Sequence, residues 1–411
     1  MKRIISIVIT VALVFGLFVV ATSAENVLIP LPATQYFAGM SLNDSRLRDA
    51  YYRIVHCIEQ ADEKVSIQDL LITKSDLKMI MTCYKNDYPQ HFWYDSSYRY
   101  SYVDDFVYDV YPSYLITGQE LVQARHDWEE AVDNILQGIT PDMSEYEREK
   151  MIHDRLALQV VYQESENAHN AYGALVEGVA VCEGYAKAFQ SLLYEVGIQC
   201  LFVTGQGISS SGIEPHGWNL VKIDGQYYYV DLTWDDQNSR IFYAYFNVTT
   251  QQLQKDHIFD ATPYELPRCT AVDANYFVQT NCILTTFRVE QLGALLKSGN
   301  GTTSILIPDS TGFIEWLSQN MFAIAQAAGF VDNIGYRYSR LGDEWVLSVF
   351  GTLLGDANVD GQITLLDVMY IALACVEKIT LSYTQQQSSD MNNDGYVTLA
   401  DALLIAHIII S

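Results

Sequence analysis

Twenty residues near the C-terminus of this 411-residue chain are written twice, and that repeat limits the fold more than any other feature. GDANVDGQITLLDVMYIALA at 355–374 and SDMNNDGYVTLADALLIAHI at 389–408 match position for position, 34 residues apart. Each copy opens on Asp-x-Asn-x-Asp-Gly and continues to a threonine and an aspartate. The oxygen-bearing residues are Asp356, Asn358, Asp360, Thr364 and Asp367, then Asp390, Asn392, Asp394, Thr398 and Asp401, at loop positions 1, 3, 5, 9 and 12. Gln362 and Tyr396 complete the two ligand sets at position 7, and the glycine at position 6 permits the sharp turn. Hard oxygen donors at this spacing suit calcium in an EF-hand-like loop, with Asp in place of Glu at the last position. Two ions are expected, one per loop. An apolar helical run follows each loop, so 354–411 is predicted to be all-α.

The other end reads MKRIISIVITVALVFGLFVVATSA: two basic residues, an apolar run, then Thr22 and Ala24 at the −3 and −1 positions. That is the pattern of a secretory signal peptide cut after Ala24. An uncleaved anchor is the alternative, because the run nearly spans a bilayer. The small-residue ending favours cleavage, so the mature chain is expected to be exported and extracellular. A net charge of −26 argues against nucleic acid and anionic membrane surfaces as partners. Disulfides are permitted outside the cell, and Cys269–Cys282 is the most local pair.

Between these ends the pattern mixes helices and strands, which gives an α+β chain. Residues 25–140 form an N-terminal α+β subdomain, with a helix in SLNDSRLRDAYYRIVHCIEQ and alternating strands in FWYDSSYRYSYVDDFVYDVYPSY. Those aromatics suit either half-buried strands or a carbohydrate-binding face. The first is favoured because no polar cluster accompanies them. Residues 141–260 form a second unit, opening on a helix capped by Asp142 or Ser144. Residues 261–352 form a further small α+β region without recognisable chemistry.

The chemistry gathers in the second unit. GVAVCEGYAK at 178–187 sets Cys182 where a helix begins, and unpaired N–H groups at a helix start favour a thiolate. HGWNLVKI and QYYYVDLTW read as strands joined by the turn Asp224-Gly225. Pairing across that turn places 218 near 231, with His216 one step further along the same face. A thiol nucleophile needs a base and a group to orient the base, and Cys182, His216 and Asp231 supply them in that order. Each residue alone has a plainer explanation: a small core cysteine, a structural histidine, an aspartate in a turn. Together, in helix-strand-strand order, they favour catalysis.

GVAVCEGYAKAF, HGWNLVKIDGQYY and DLTWDD resemble the bacterial transglutaminase-like core over about 145–260. The resemblance implies a papain-like fold with Cys182 as nucleophile, His216 as base and Asp231 as the orienting residue. It implies no cofactor in this core. The oxyanion helper of such sites lies upstream of the cysteine, where Tyr172 is the candidate. Thioester formation is shared by amide hydrolysis and by transfer to an amine, and hydrolysis of protein or peptide amides is favoured here.

The duplicated loop–helix resembles a type I-like dockerin over about 354–411. That implies docking to a cohesin domain of a scaffoldin in a cell-surface cellulosome, and a role around plant-polysaccharide breakdown. Leu365, Leu366, Leu399 and Ala400 occupy loop positions 10 and 11, which match the cohesin-contacting positions. They are apolar, so the partner's face is expected to be hydrophobic. A non-catalytic accessory module is the alternative function. A glycoside hydrolase is disfavoured, since no paired-carboxylate motif is recognisable.

Overall fold

A computed structural model describes residues 28–410 except 238–240, 299–301, 309–310, 331–334, 342–343, 351–352, 360–362 and 393. The expected signal peptide at 1–24 and the expected calcium ligands Asp360 and Gln362 lie outside the described residues. Among those described, no helix is long and apolar enough to cross a membrane.

The centre is a four-stranded antiparallel sheet in the order Gln226–Val230, Gly212–Ile223, Cys200–Ser209, His257–Phe259. The first two strands are joined by Asp224-Gly225, both with positive φ, and pair as Asn219↔Val230 through Ile223↔Gln226. That register is the one that puts 218 opposite 231. The strand expected over QYYYVDLTW stops at Val230, however. Leu232–Asp235 is a turn of helix, and Asp231 caps it by accepting the Trp234 N–H at 3.2 Å. Aspartate at a cap satisfies a leading helix N–H, which a strand would not require.

The helix Cys182–Glu195 packs on this sheet, with Ala186, Phe189, Leu192 and Leu193 buried. It ends before Gly197, whose φ of 79° a glycine takes without strain. Near its start there is no room for a side chain: a Cβ on Gly184 would overlap the carbonyl of Ala168. The preceding helix, Glu145–Gln159, is capped by Ser144 in a reciprocal box with Glu147. A two-residue strand, Val161–Tyr162, pairs in parallel with Val179–Ala180 just ahead of Cys182.

Most buried apolar residues from Leu31 to Ile139 pack into the same core as this sheet, and Phe92, Trp93, Leu121 and Ala124 form a small cluster of their own beside it. The helices of this N-terminal segment, Ser45–Glu59 and Lys74–Asp87, follow the amphipathic pattern. The hairpin Tyr94–Val103/Phe106–Tyr114 forms, but its first strand is mostly exposed rather than alternating, and its register shifts between Tyr94 and Tyr98 and between Ser101 and Tyr102. Tyr264, Cys269, Ala274, Phe277 and Cys282 also join that core. A second core begins at Leu284, where helices Val289–Ser298 and Phe313–Ala328 accompany an antiparallel sheet of Thr302–Ile307, Glu344–Phe350 and Gly335–Leu341. The C-terminal module has its own small core of Ala357, Ile371, Ala402 and Ile405 between helices Leu365–Cys375 and Leu399–Ile410. All seven cysteines are free thiols, Cys269 and Cys282 among them.

Candidate active site and calcium loops

Cys182 is the first residue of its helix and is partly exposed, and no side chain caps that helix end. His216 comes up beside it from the strand Gly212–Ile223, near enough for the sulfur to raise the imidazole's affinity for a proton. On its other side, His216 Nε2 lies 2.7 Å from Asp231 Oδ2. Nε2 is therefore the nitrogen committed to the carboxylate, which leaves Nδ1 for the cysteine. Trp234 stacks on the imidazole at 5.1 Å and fixes its plane. The structure thus brings together the three residues that the sequence singles out.

The electrostatics follow from burial and charge. Burial alone would drive His216 to its neutral form, but the Asp231 charge and hydrogen bond, with the Cys182 contact, outweigh it and push the imidazole up to about 10. Asp231 is fully buried, which raises a carboxyl, yet His216 and His257 hold it well below the usual range. His257 is a residue that sequence reasoning missed. Its Nε2 lies 3.1 Å from the same Asp231 oxygen. The ligand atoms of His216, Asp231 and His257 fall within 4.8 Å of one another. Each nitrogen–oxygen contact is already at hydrogen-bond length, so a ring proton occupies the space a cation would need, and we read the group as a proton-sharing array.

A cleft of about 260 Å³ opens beside the array, lined by Tyr162, Glu214, His216, Trp234 and Asp236 among others. Tyr172 is not part of it. The ring of Tyr172 packs on Phe92 at 4.7 Å, in an aromatic cluster with Trp93 and Trp128. Tyr162 stands nearer the chemistry. Burial, and then Cys182, Glu164, Glu214 and Asp231, raise its hydroxyl above the ordinary range.

This arrangement coincides with a family match: residues 132–232 fit the transglutaminase-like superfamily, and residues 354–410 fit the dockerin type I domain. The chain joins a transglutaminase-like domain to a type I dockerin. Human kyphoscoliosis peptidase is 28% identical over 127 residues, which is 28% of this chain and 19% of that protein. The mouse protein of the same name is 38% identical over 61 residues, 13% of this chain and 9% of that one. The chain therefore spans a small part of these relatives. A crystal structure of a TGase covers 34% of this chain and 44% of its own, with a TM-score of 0.25 and 12% identity.

In the dockerin, hydrogen bonds within each loop hold the described ligand residues in place. Asp390 accepts the N–H groups of Asp394 and Gly395 at 3.1 and 2.8 Å, which wraps the second loop around its carboxylate. Asp401 is buried and accepts Met391 N–H, Thr398 N–H and the Thr398 hydroxyl. In the first loop, buried Asp367 takes the N–H groups of Asn358 and Thr364. Threonine and the final aspartate thus cap each helix as well as closing each loop. The all-oxygen donor set fits calcium, which type I dockerins generally bind. Leu365, Leu366, Leu399 and Ala400 are all exposed. The sequence reading stopped there, but Met369 on one helix and Leu403 on the other, one turn on and again 34 residues apart, are exposed as well and lengthen each stripe.

Proposed function

We propose that this protein is an exported thiol enzyme that cleaves protein or peptide amides through an acyl-enzyme on Cys182, and that its dockerin anchors it to a cohesin domain of a scaffoldin in an extracellular, polysaccharide-degrading assembly. The observation that carries the catalytic half is the continuous series from Cys182 through His216 to a fully buried Asp231 at the edge of a cleft. His216 Nδ1 takes the thiol proton, and the sulfur attacks the amide carbon. The carbonyl oxygen becomes an oxyanion, for which Tyr162 is the side chain placed to donate. The leaving nitrogen takes the proton from His216 as the C–N bond breaks, and a thioester remains. Water then yields a proton to His216, attacks the thioester, and releases the acid and the free thiol. An amine in place of water would give transfer instead. The peptidase names of the two relatives support hydrolysis.

In the dockerin, Asp356, Asn358, Asp360, Gln362, Thr364 and Asp367, with their counterparts Asp390, Asn392, Asp394, Tyr396, Thr398 and Asp401, would hold two calcium ions. Calcium when bound offsets the repulsion among the carboxylates and orders each loop. The paired apolar stripes would meet the cohesin.

A peptide library tests the catalytic half. Cleavage or ammonia release that disappears when Cys182 is alkylated by iodoacetamide supports it. Turnover that persists with Cys182 fully alkylated overturns it.

A further inference from the structure

His257 is a buried, ionisable residue that the reaction just described leaves without a task, and it touches the array at its most sensitive atom. Its strand, His257–Phe259, lies on the far side of Cys200–Ser209 from the strand that carries His216. Two glycines in the intervening strand let the side chains meet across it. Gly207 pairs with His257, and Gly205 pairs with His216. A Cβ on Gly207 would come within 2.7 Å of the Trp234 ring. With that Cβ missing, the two imidazoles stand 5.5 Å apart, centre to centre.

The hydrogen bonds fix the protonation of His257 by geometry. Nε2 is 3.1 Å from Asp231 Oδ2, and Nδ1 is 2.7 Å from Asp256 Oδ1. The other Asp256 oxygen accepts the Tyr245 hydroxyl at 2.8 Å, so both oxygens of that carboxylate act as acceptors. A neutral imidazole has one N–H and would set a bare lone pair against one of the two carboxylates. Only the imidazolium donates to both. Charges then alternate along one line: Asp256 negative, His257 positive, Asp231 negative, His216 positive.

We propose that His257, held charged by Asp256, is a positioning residue for Asp231: it fixes the carboxylate and shares its charge, and so lets His216 release its proton to the leaving group. The proposal rests on the reading of Cys182, His216 and Asp231 as a catalytic series. The Asp231 oxygen is shared at 2.7 and 3.1 Å, so His216 receives only part of the carboxylate's pull. Without the second cation that pull would fall on His216 alone, and a base that binds its proton too firmly is a poor acid in the next step. The ionisable groups facing these rings among the described residues are Cys182, Asp231, Asp256, Tyr245, Glu214 on the strand of His216, and Tyr162 and Asp236 in the cleft. Of these, Asp231 and Asp256 hydrogen-bond to His257, and the Tyr245 ring packs 5.5 Å from its imidazole.

The test is a pH titration of the His216 ring by NMR in the full chain, labelled at histidine Cε1, with its signal identified by its loss in His216→Gln. His257→Gln keeps a hydrogen-bond donor beside Asp231 but removes the charge. Its His216 midpoint should rise by roughly half a pH unit or more. Asp256→Asn, which preserves shape, should move it the same way by less, and it decides the matter if the first variant does not fold. On a cleaved peptide, His257→Gln should lower kcat several-fold with KM little changed. An unmoved or lowered midpoint overturns the proposal. The titration needs no substrate, so failure of the catalytic reading, seen as turnover that survives Cys182→Ala, is told apart from failure of this one.

Discussion

The cleft and the dockerin loops are both organised around aspartates, and they balance that negative charge by different means. Asp231 is fully buried, and two imidazole side chains meet its charge, with the backbone N–H of Trp234 as a further donor. Packing of Trp218 and Trp234 on His257, with Tyr245 against Trp234, holds that geometry. In the second loop, Asp390 and Asp394 are met by backbone N–H groups and by Asn392, and no lysine, arginine or histidine pairs with them among the described residues. Their mutual repulsion calls for an outside cation. A carboxylate balanced by side chains belongs to the core's cooperative unit. One balanced by an ion can be switched without disturbing that unit.

The largest effects should separate the two regions cleanly. Cys182→Ala and His216→Ala should each lower turnover by about 10⁴-fold or more, to background, while calcium-dependent cohesin binding is unchanged. Peptide cleavage and calorimetry on the same preparations would check both halves. A chelator should do the converse. Hydrogen exchange across 354–410 should accelerate strongly and cohesin binding should vanish, with peptide turnover and exchange in the helix Cys182–Glu195 unaltered. If turnover falls with calcium, the two regions are not independent and the contrast fails.

Smaller effects sharpen the picture within each region. The two apolar stripes are near copies, so Leu365→Asp with Leu366→Asp should weaken cohesin binding only modestly, by roughly tenfold or less. Adding Leu399→Asp and Ala400→Asp should abolish it, while the calcium response persists. Undiminished affinity in the quadruple variant would place the contact face elsewhere.

The smallest expected effect lies in the core. Burial outweighs the Asn247 hydrogen bond and pushes Glu149 up to about 8 from an ordinary 4.5. Its folded value is raised, so the stability contributed by the neutral carboxyl is complete below about 4.5 and is lost as pH climbs through 8. Glu149→Gln removes that slope. Its urea midpoint should exceed the wild type's at about pH 9 and approach it at about pH 4. Parallel curves for the two proteins would contradict this.

The parts that were legible in the sequence are those encoded locally. The turn Asp224-Gly225 fixes one register, and that register alone brings His216 and Asp231 together. The calcium loops are contiguous, so spacing states the donors directly. What escaped depends on contacts between distant segments. His257 lies 26 residues beyond Asp231 on a three-residue edge strand, and nothing local says which strand that edge will join. Tyr172 is nearer to Cys182 in sequence than Tyr162 is. The parallel pairing of Val161–Tyr162 with Val179–Ala180 reverses that order in space, and Tyr172 turns away to Phe92. The DLTW segment alternates like a strand, but Asp231 satisfies the Trp234 N–H and starts a helical turn.

Gly184 has a consequence for how this sequence can drift. The helix end that carries the thiol meets the carbonyls of Ala168 and Asn170 main chain to main chain, so that fit depends on the absence of a side chain on the helix. Most of the apolar face, at Ala186, Phe189, Leu192 and Leu193, can exchange one hydrocarbon shape for another with compensating neighbours. No neighbour can compensate for a Cβ pressed into a carbonyl. In a library randomised across this helix, diversity should survive at the apolar positions and collapse to a single letter at 184.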